Sequence, residues 1–209
     1  MRHAKDFHLH EASFPLYVVP PDRWDRYAGL SGSGSTGRDL DHVGFGYFDE
    51  PGGQRHGFEV VNQHLGRRLL ERPARREDVG IWWSDPFPAD DTVNFATRFL
   101  SPEERREHTG DRGWLDTGPV QLVSIVDLEV AGHRVEAALH AYRRLPALRS
   151  ISFDLPDVHL VLHGWDLTFD ELQGYARALE RLELGSDLFR SMKAAQVRAS
   201  RRFDELHGR

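Results

Sequence analysis

Apolar positions fall into short runs whose spacing switches between the period of a strand and that of a helix. In the first half, Phe14-Pro15-Leu16-Tyr17-Val18-Val19 is a compact apolar run closed by Pro20 and Pro21, which cannot donate to a ladder, and it predicts a strand. A one-turn helix is expected over residues 22–27. Val43, Phe45 and Tyr47 alternate with Gly44 and Gly46, a strand with one nearly bare face, whereas Ser31 to Gly37 reads SGSGSTG and has the composition of a flexible loop. Phe58, Val61, Leu65 and Leu69 recur at spacings of 3, 4 and 4 residues, which predicts a helix stopped by Pro73. Residues 79–83 (VGIWW) are a further strand candidate ending in Ser84-Asp85-Pro86, and 91–100 favour helix. Ser101-Pro102-Glu103-Glu104 combines a capping residue, a proline at the first helical position and a glutamate at the third. A helix restarts there and ends at Gly110 to Gly113.

The second half is more regular. Residues 120–130 (VQLVSIVDLEV) are long, rich in β-branched side chains and alternating near their end, so they predict a strand. Residues 134–145 contain Ala137, Ala138, Leu139 and Ala141 and predict a helix closed by Pro146. Residues 150–154 and 158–162 flank Leu155-Pro156-Asp157 as a hairpin. Thr168 with Glu171 makes a capping box for a helix to about Leu184, ended by Gly185. A last helix from Asp187 to about His207 carries Leu188, Met192, Ala195, Ala199, Phe203 and Leu206 on one stripe. Strand, helix, hairpin and helix with local connections predict an α+β fold: a mostly antiparallel sheet with helices packed on one face and a C-terminal helical segment. The expected organisation is one α+β domain over 1–185 followed by an amphipathic basic helix over 186–209, in the same domain or as an appendage.

Composition narrows the functional classes. A chain of 209 residues with 39% hydrophobic and 29% charged residues is long enough to bury a full core without staples. It has no cysteine, which removes thiolate nucleophiles, disulfide frameworks, iron–sulfur clusters and cysteine-based zinc sites. No apolar run approaches the ~18 residues of a membrane span, and the first thirty residues hold no apolar signal segment. A soluble protein without a membrane span, cytoplasmic by default, is the expectation. The net charge of −6 is uneven: Arg190 to Arg209 has six Arg or Lys against Asp204 and Glu205, +4, leaving −10 for the rest. That basic helix is a candidate arm for nucleic acid or self-association, including a homodimer. The acidic body weighs against broad nucleic-acid binding.

The sharpest local chemistry is Asp6-Phe7-His8-Leu9-His10-Glu11. In a strand His8 and His10 point to one face about 7 Å apart, which suits two imidazoles converging on a metal. The Asp-x-His-x-His segment resembles the opening strand of metal hydrolases of the amidohydrolase and polymerase-and-histidinol-phosphatase types. The resemblance covers five residues and implies a divalent metal at His8 and His10 in a small metal-dependent hydrolase. Histidines carried by chance in a terminal strand are the competing reading.

A second cluster is His159, His163 and Asp166. In a strand the two histidines share a face about 13 Å apart, too far to ligate one ion, but His163 oriented by Asp166 is a candidate acid–base residue. Gly32, Gly34 and Gly37 match nucleotide-loop patterns by letter, without the strand before and helix after that phosphate binding requires. The chain has five tryptophans, and Trp82 and Trp83 are adjacent on a strand candidate, so one of them faces away from the core side. With Trp165 they are candidates for an aromatic-lined cleft. The leading expectation is therefore a binding or accessory protein that recognises a small ligand or protein partner through Trp82, Trp83 and Trp165, with no cofactor needed. The metal-dependent hydrolase of His8 and His10 is the alternative, and the C-terminal arm a further one.

Overall fold

The computed structural model describes residues 12–24, 26–35, 40–50, 55–65, 95–109, 120–206 and 208. Its main element is a seven-stranded, wholly antiparallel sheet in the order β2-β3-β4-β8-β7-β6-β5. The strands are β2 (Tyr27–Ser35), β3 (Leu40–Phe48), β4 (Gly57–His64), β5 (Val120–Val130), β6 (His133–Tyr142), β7 (Leu148–Leu155) and β8 (Val158–Trp165). Two meanders, β2 to β4 and β5 to β8, join where β4 pairs with β8, Glu59 opposite His163. A small second sheet pairs β1 (Tyr17–Val18) with β9 (Glu180–Arg181). Helices α1 (Pro102–Glu107), α2 (Phe169–Arg177) and α3 (Asp187–Leu206) complete the α+β architecture. No helix among the described residues is long and apolar enough to cross a membrane.

Strict register separates the two faces of the sheet. One face carries Phe45 and Tyr47 of β3, Phe58 and Val60 of β4, Leu160 and Leu162 of β8, and Ile151 and Phe153 of β7, all buried in one core. The segment from Phe14 to Trp24 and the inner sides of α2 and α3 cover it, with Leu172, Met192 and Ala195 turned inward. Its few polar groups are spent on holding that cover. The Asn62 side-chain amide imitates a peptide, accepting from the Tyr17 N–H at 2.5 Å and donating to the Tyr17 carbonyl at 3.0 Å. The Tyr47 hydroxyl does the same at Val19, accepting at 2.9 Å and donating at 2.7 Å. Burial pushes the Tyr47 phenol far above its ordinary range, so it stays neutral and keeps donating.

Capping and turn chemistry fix the elements as the sequence indicates at several points. Ser101 and Thr168 each accept from the N–H three residues on, and Glu104 and Glu171 reach back to the capping N–H. Those contacts hold both glutamates below the usual carboxylate range. The β7–β8 hairpin turns at Pro156-Asp157, where Asp157 takes a left-handed φ of 65°.

Four expectations are corrected. Residues 134–145 are not a helix: 133–142 form β6, paired along its length with β5 through a two-residue turn at Ala131 (φ 49°) and Gly132 (φ 78°). Their alanines favour helix in isolation, but pairing on both sides outweighs a propensity difference of under about 1 kcal/mol per residue. Residues 57–64 are likewise strand β4 rather than a helix; buried on both faces, they lack the alternation that marks a strand. Ser31 to Ser35 belong to β2, paired with β3, and not to a loop. Gly29 in β2 sits so close to α3 that a Cβ there would lie 2.0 Å from Gln196 Oε1, so small residues here serve helix approach. The helix after Thr168 ends at Arg177, well before Leu184, because Glu180–Arg181 pair with β1. The final helix forms as expected.

Candidate functional site

Over β4, β8 and β7 the other face of the sheet is also largely buried, but it is polar. In β7 the positions Ser150, Ser152 and Asp154 share this face, and in β8 so do His159 and His163. The two-residue turn of the hairpin pairs Leu155 with Val158, and the same register sets Asp154 opposite His159 and Ser150 opposite His163. Glu59 on β4 stands on the far side of His163, and His140 on β6 on the far side of Ser150. A row of four polar residues, Glu59–His163–Ser150–His140, therefore crosses four adjacent strands. Gln63, His159 and Asp154 form a shorter row across three.

Hydrogen bonds link these side chains. The Ser150 hydroxyl bridges His163 Nδ1 at 2.7 Å and the Tyr142 hydroxyl at 3.0 Å. His140 Nε2 lies 3.3 Å from Ser152 Oγ, and His159 Nδ1 lies 2.5 Å from Asp154 Oδ1. Ser150 and His163 are fully buried, and His140 and His159 nearly so. Burial, reinforced by the neighbouring His140, pushes His163 down to about 3, so its imidazole is neutral at physiological pH. An efficient general base titrates near the working pH. His163 in this state is a hydrogen-bonding group, and it directs Nδ1 to Ser150 rather than to Asp166. Asp166 lies exposed in the turn after β8 with a φ of 55°.

At the end of the sheet where β8 closes, this polar face meets aromatic side chains. Phe95 stacks on His163 with ring centroids 5.7 Å apart. Trp165 and Phe99 stack with ring centroids 5.2 Å apart and planes 7° from parallel, and Phe48 packs beside Phe99. Phe48, Phe99 and Trp165 are each half-buried, and the Arg98 guanidinium lies over the Phe48 ring at 5.4 Å. Behind them Phe95, Leu100, Tyr142, Leu145 and Leu148 form a second apolar cluster. Tyr142 belongs both to this cluster and to the Ser150–His163 chain.

The residues singled out from the sequence divide accordingly. Trp165 stands in the aromatic cluster, and His163 and His159 are in the buried rows, hydrogen-bonded to Ser150 and to Asp154. His8, His10, Trp82 and Trp83 lie outside the described residues. No group of three or more histidine or acidic side chains placed to hold a metal ion occurs among the described residues. Ser150, Tyr142, His140, Glu59, Phe48 and Phe99 were not anticipated. For Ser150 the signal was present, since a two-residue turn at Pro156-Asp157 dictates its pairing with His163. His140 was hidden by the helical expectation for 134–145.

Fold and site together define an α+β protein whose antiparallel sheet buries one apolar face and one polar, histidine-bearing face with an aromatic rim. In comparisons with known protein families, curated proteins and solved structures, the chain matches none.

Proposed function

We propose that this chain is a recognition protein that takes a planar group, of a small ligand or of a protein partner's side chain, into an aromatic-lined cleft at Trp165. The carrying observation is the half-buried stack of Trp165 on Phe99 with Phe48 and Arg98 alongside. Aromatic faces left partly open beside a cation offer area, stacking and charge at low conformational cost. The buried polar row beneath supports the same reading: the neutral His163 imidazole and the hydroxyls of Ser150 and Tyr142 fix a rigid floor. Trp82 and Trp83, two further candidates for the same cleft, enter the proposal on their sequence alone.

The test is a two-dimensional NMR titration of the full chain with indole, benzoate and adenosine, read at the Trp165 indole N–H. Saturable shifts that vanish in Phe99→Ala while the fold persists by circular dichroism are expected. A Trp165 signal unmoved by all three planar probes would remove the cleft.

A further inference from the structure

Two surface patches at opposite ends of the seven-stranded sheet mirror one another. At one end α3 lies against β2, with Met192 and Ala195 on its buried line. At 3.6 residues per turn the opposite line of the helix runs through Arg190, Lys193, Ala194, Val197 and Arg201, all exposed. Its middle is apolar, Ala194 and Val197, and its flanks are positive. Arg190 is paired within the helix to Asp187, whereas Lys193 and Arg201 make no ion pair among the described residues.

At the other end β5 closes the sheet, pairing with β6 on one side only among the described residues. Val123 and Ile125, 49% and 40% exposed, are the apolar centre here. Asp127 and Glu129 follow on β5, and Glu136 of β6 stands directly opposite Asp127. Like charges opposite one another weaken a strand pair. Arg134 relieves Asp127 at 2.8 Å, but Glu129 and Glu136 make no ion pair among the described residues. Each patch thus has two exposed apolar side chains beside an excess of one charge, Asp127, Glu129 and Glu136 against Arg134 on the sheet and Arg190, Lys193 and Arg201 against Asp187 and Asp204 on the helix, so the net signs are opposite.

We propose that the two patches bind each other between copies of this chain, α3 of one copy lying across β5 and β6 of the next. The apolar centres meet, Lys193 and Arg201 face Glu129 and Glu136, and the cross-strand repulsion is relieved by the incoming cations. Because the patches sit at opposite ends of the sheet, the contact is head to tail. Every pair leaves one patch of each kind free, so assembly continues past two.

Sedimentation velocity of the full-length protein over a wide concentration range, at low and at high salt, tests this. The average mass should rise with concentration at low salt and return to that of one chain at ~1 M salt, where charges are screened beyond ~3 Å. Lys193→Glu/Arg201→Glu and Glu129→Lys/Glu136→Lys should each remain single chains, with unchanged circular dichroism because every altered side chain is exposed. Mixing the two variants should restore association, since each then meets its opposite. A single chain at every concentration in low salt would overturn the proposal, as would association that survives both charge reversals or a mixture that fails to associate.

Discussion

Over β4, β8 and β7 both faces of the seven-stranded sheet are largely buried, and they are built on opposite principles. The face under α2 and α3 is held by area: Phe45, Phe58, Leu160 and Leu162 gain by leaving water, and the polar side chains of Asn62 and Tyr47 each satisfy both a backbone donor and a backbone acceptor. The face under Phe95 carries imidazoles, hydroxyls and carboxylates, which gain little net energy from hydrogen bonds already available in water. What that second face provides is geometric uniqueness, because Ser150 can bridge Tyr142 and His163 in one register only.

Substitutions can break this contrast in graded steps. The largest effect belongs to the apolar face: Leu160→Ala should cost about 2–5 kcal/mol in urea unfolding, as for other large-to-small changes in a packed core. A cost below about 1 kcal/mol would mean that this face is not the main source of stability. On the polar face Ser150→Ala removes the hydroxyl that bridges Tyr142 and His163 and should cost about 1–3 kcal/mol. Ser150→Ala with Tyr142→Phe should recover part of that loss, a non-additivity that a double-mutant cycle would measure.

The pH response is the next step down. His163 is neutral in the folded chain and titrates near 3, against an unfolded value of 6.5. The unfolded chain therefore binds a proton first as pH falls. The stability that this group contributes is whole above the unfolded value and is lost between there and about 3, at up to about 1.4 kcal/mol per pH unit. Urea midpoints measured from neutral to acid pH should show this slope, and His163→Gln should flatten it. The smallest effect is a control on neither face. Thr168→Ala removes the cap of α2 and should cost about 1 kcal/mol by thermal unfolding.

Legibility from sequence followed the same division. Elements with local grammar were readable: the capping boxes at Ser101 and Thr168, the hairpin at Pro156-Asp157, the stripe of α3 and the long β5. Strands whose identity depends on neighbours on both sides were not. Residues 57–64 have no exposed face to impose alternation, and 133–142 carry alanines that only pairing turns into a strand. The buried histidine row was half legible, because the hairpin register couples Ser150 to His163 and Asp154 to His159. Its extension to Glu59 and His140 required knowing that β4 and β6 are strands and where they lie. Trp165 was legible as an aromatic candidate, but Phe99 and Phe48 joined it only through the fold.

The junction of β4 with β8 also sets the order in which the molecule can form. The hairpins β5–β6 and β7–β8 close across two-residue turns, whereas Glu59 meets His163 only after about a hundred residues of chain have been drawn together. Closing a loop of that length carries a larger entropic cost than closing a hairpin, and pairings so distant in sequence slow folding. Within the seven-stranded sheet, the histidine row is therefore completed by the pairing that closes the longest loop. Three of its four members, His163, Ser150 and His140, belong to a meander of local pairings, and Glu59 joins them at the seam.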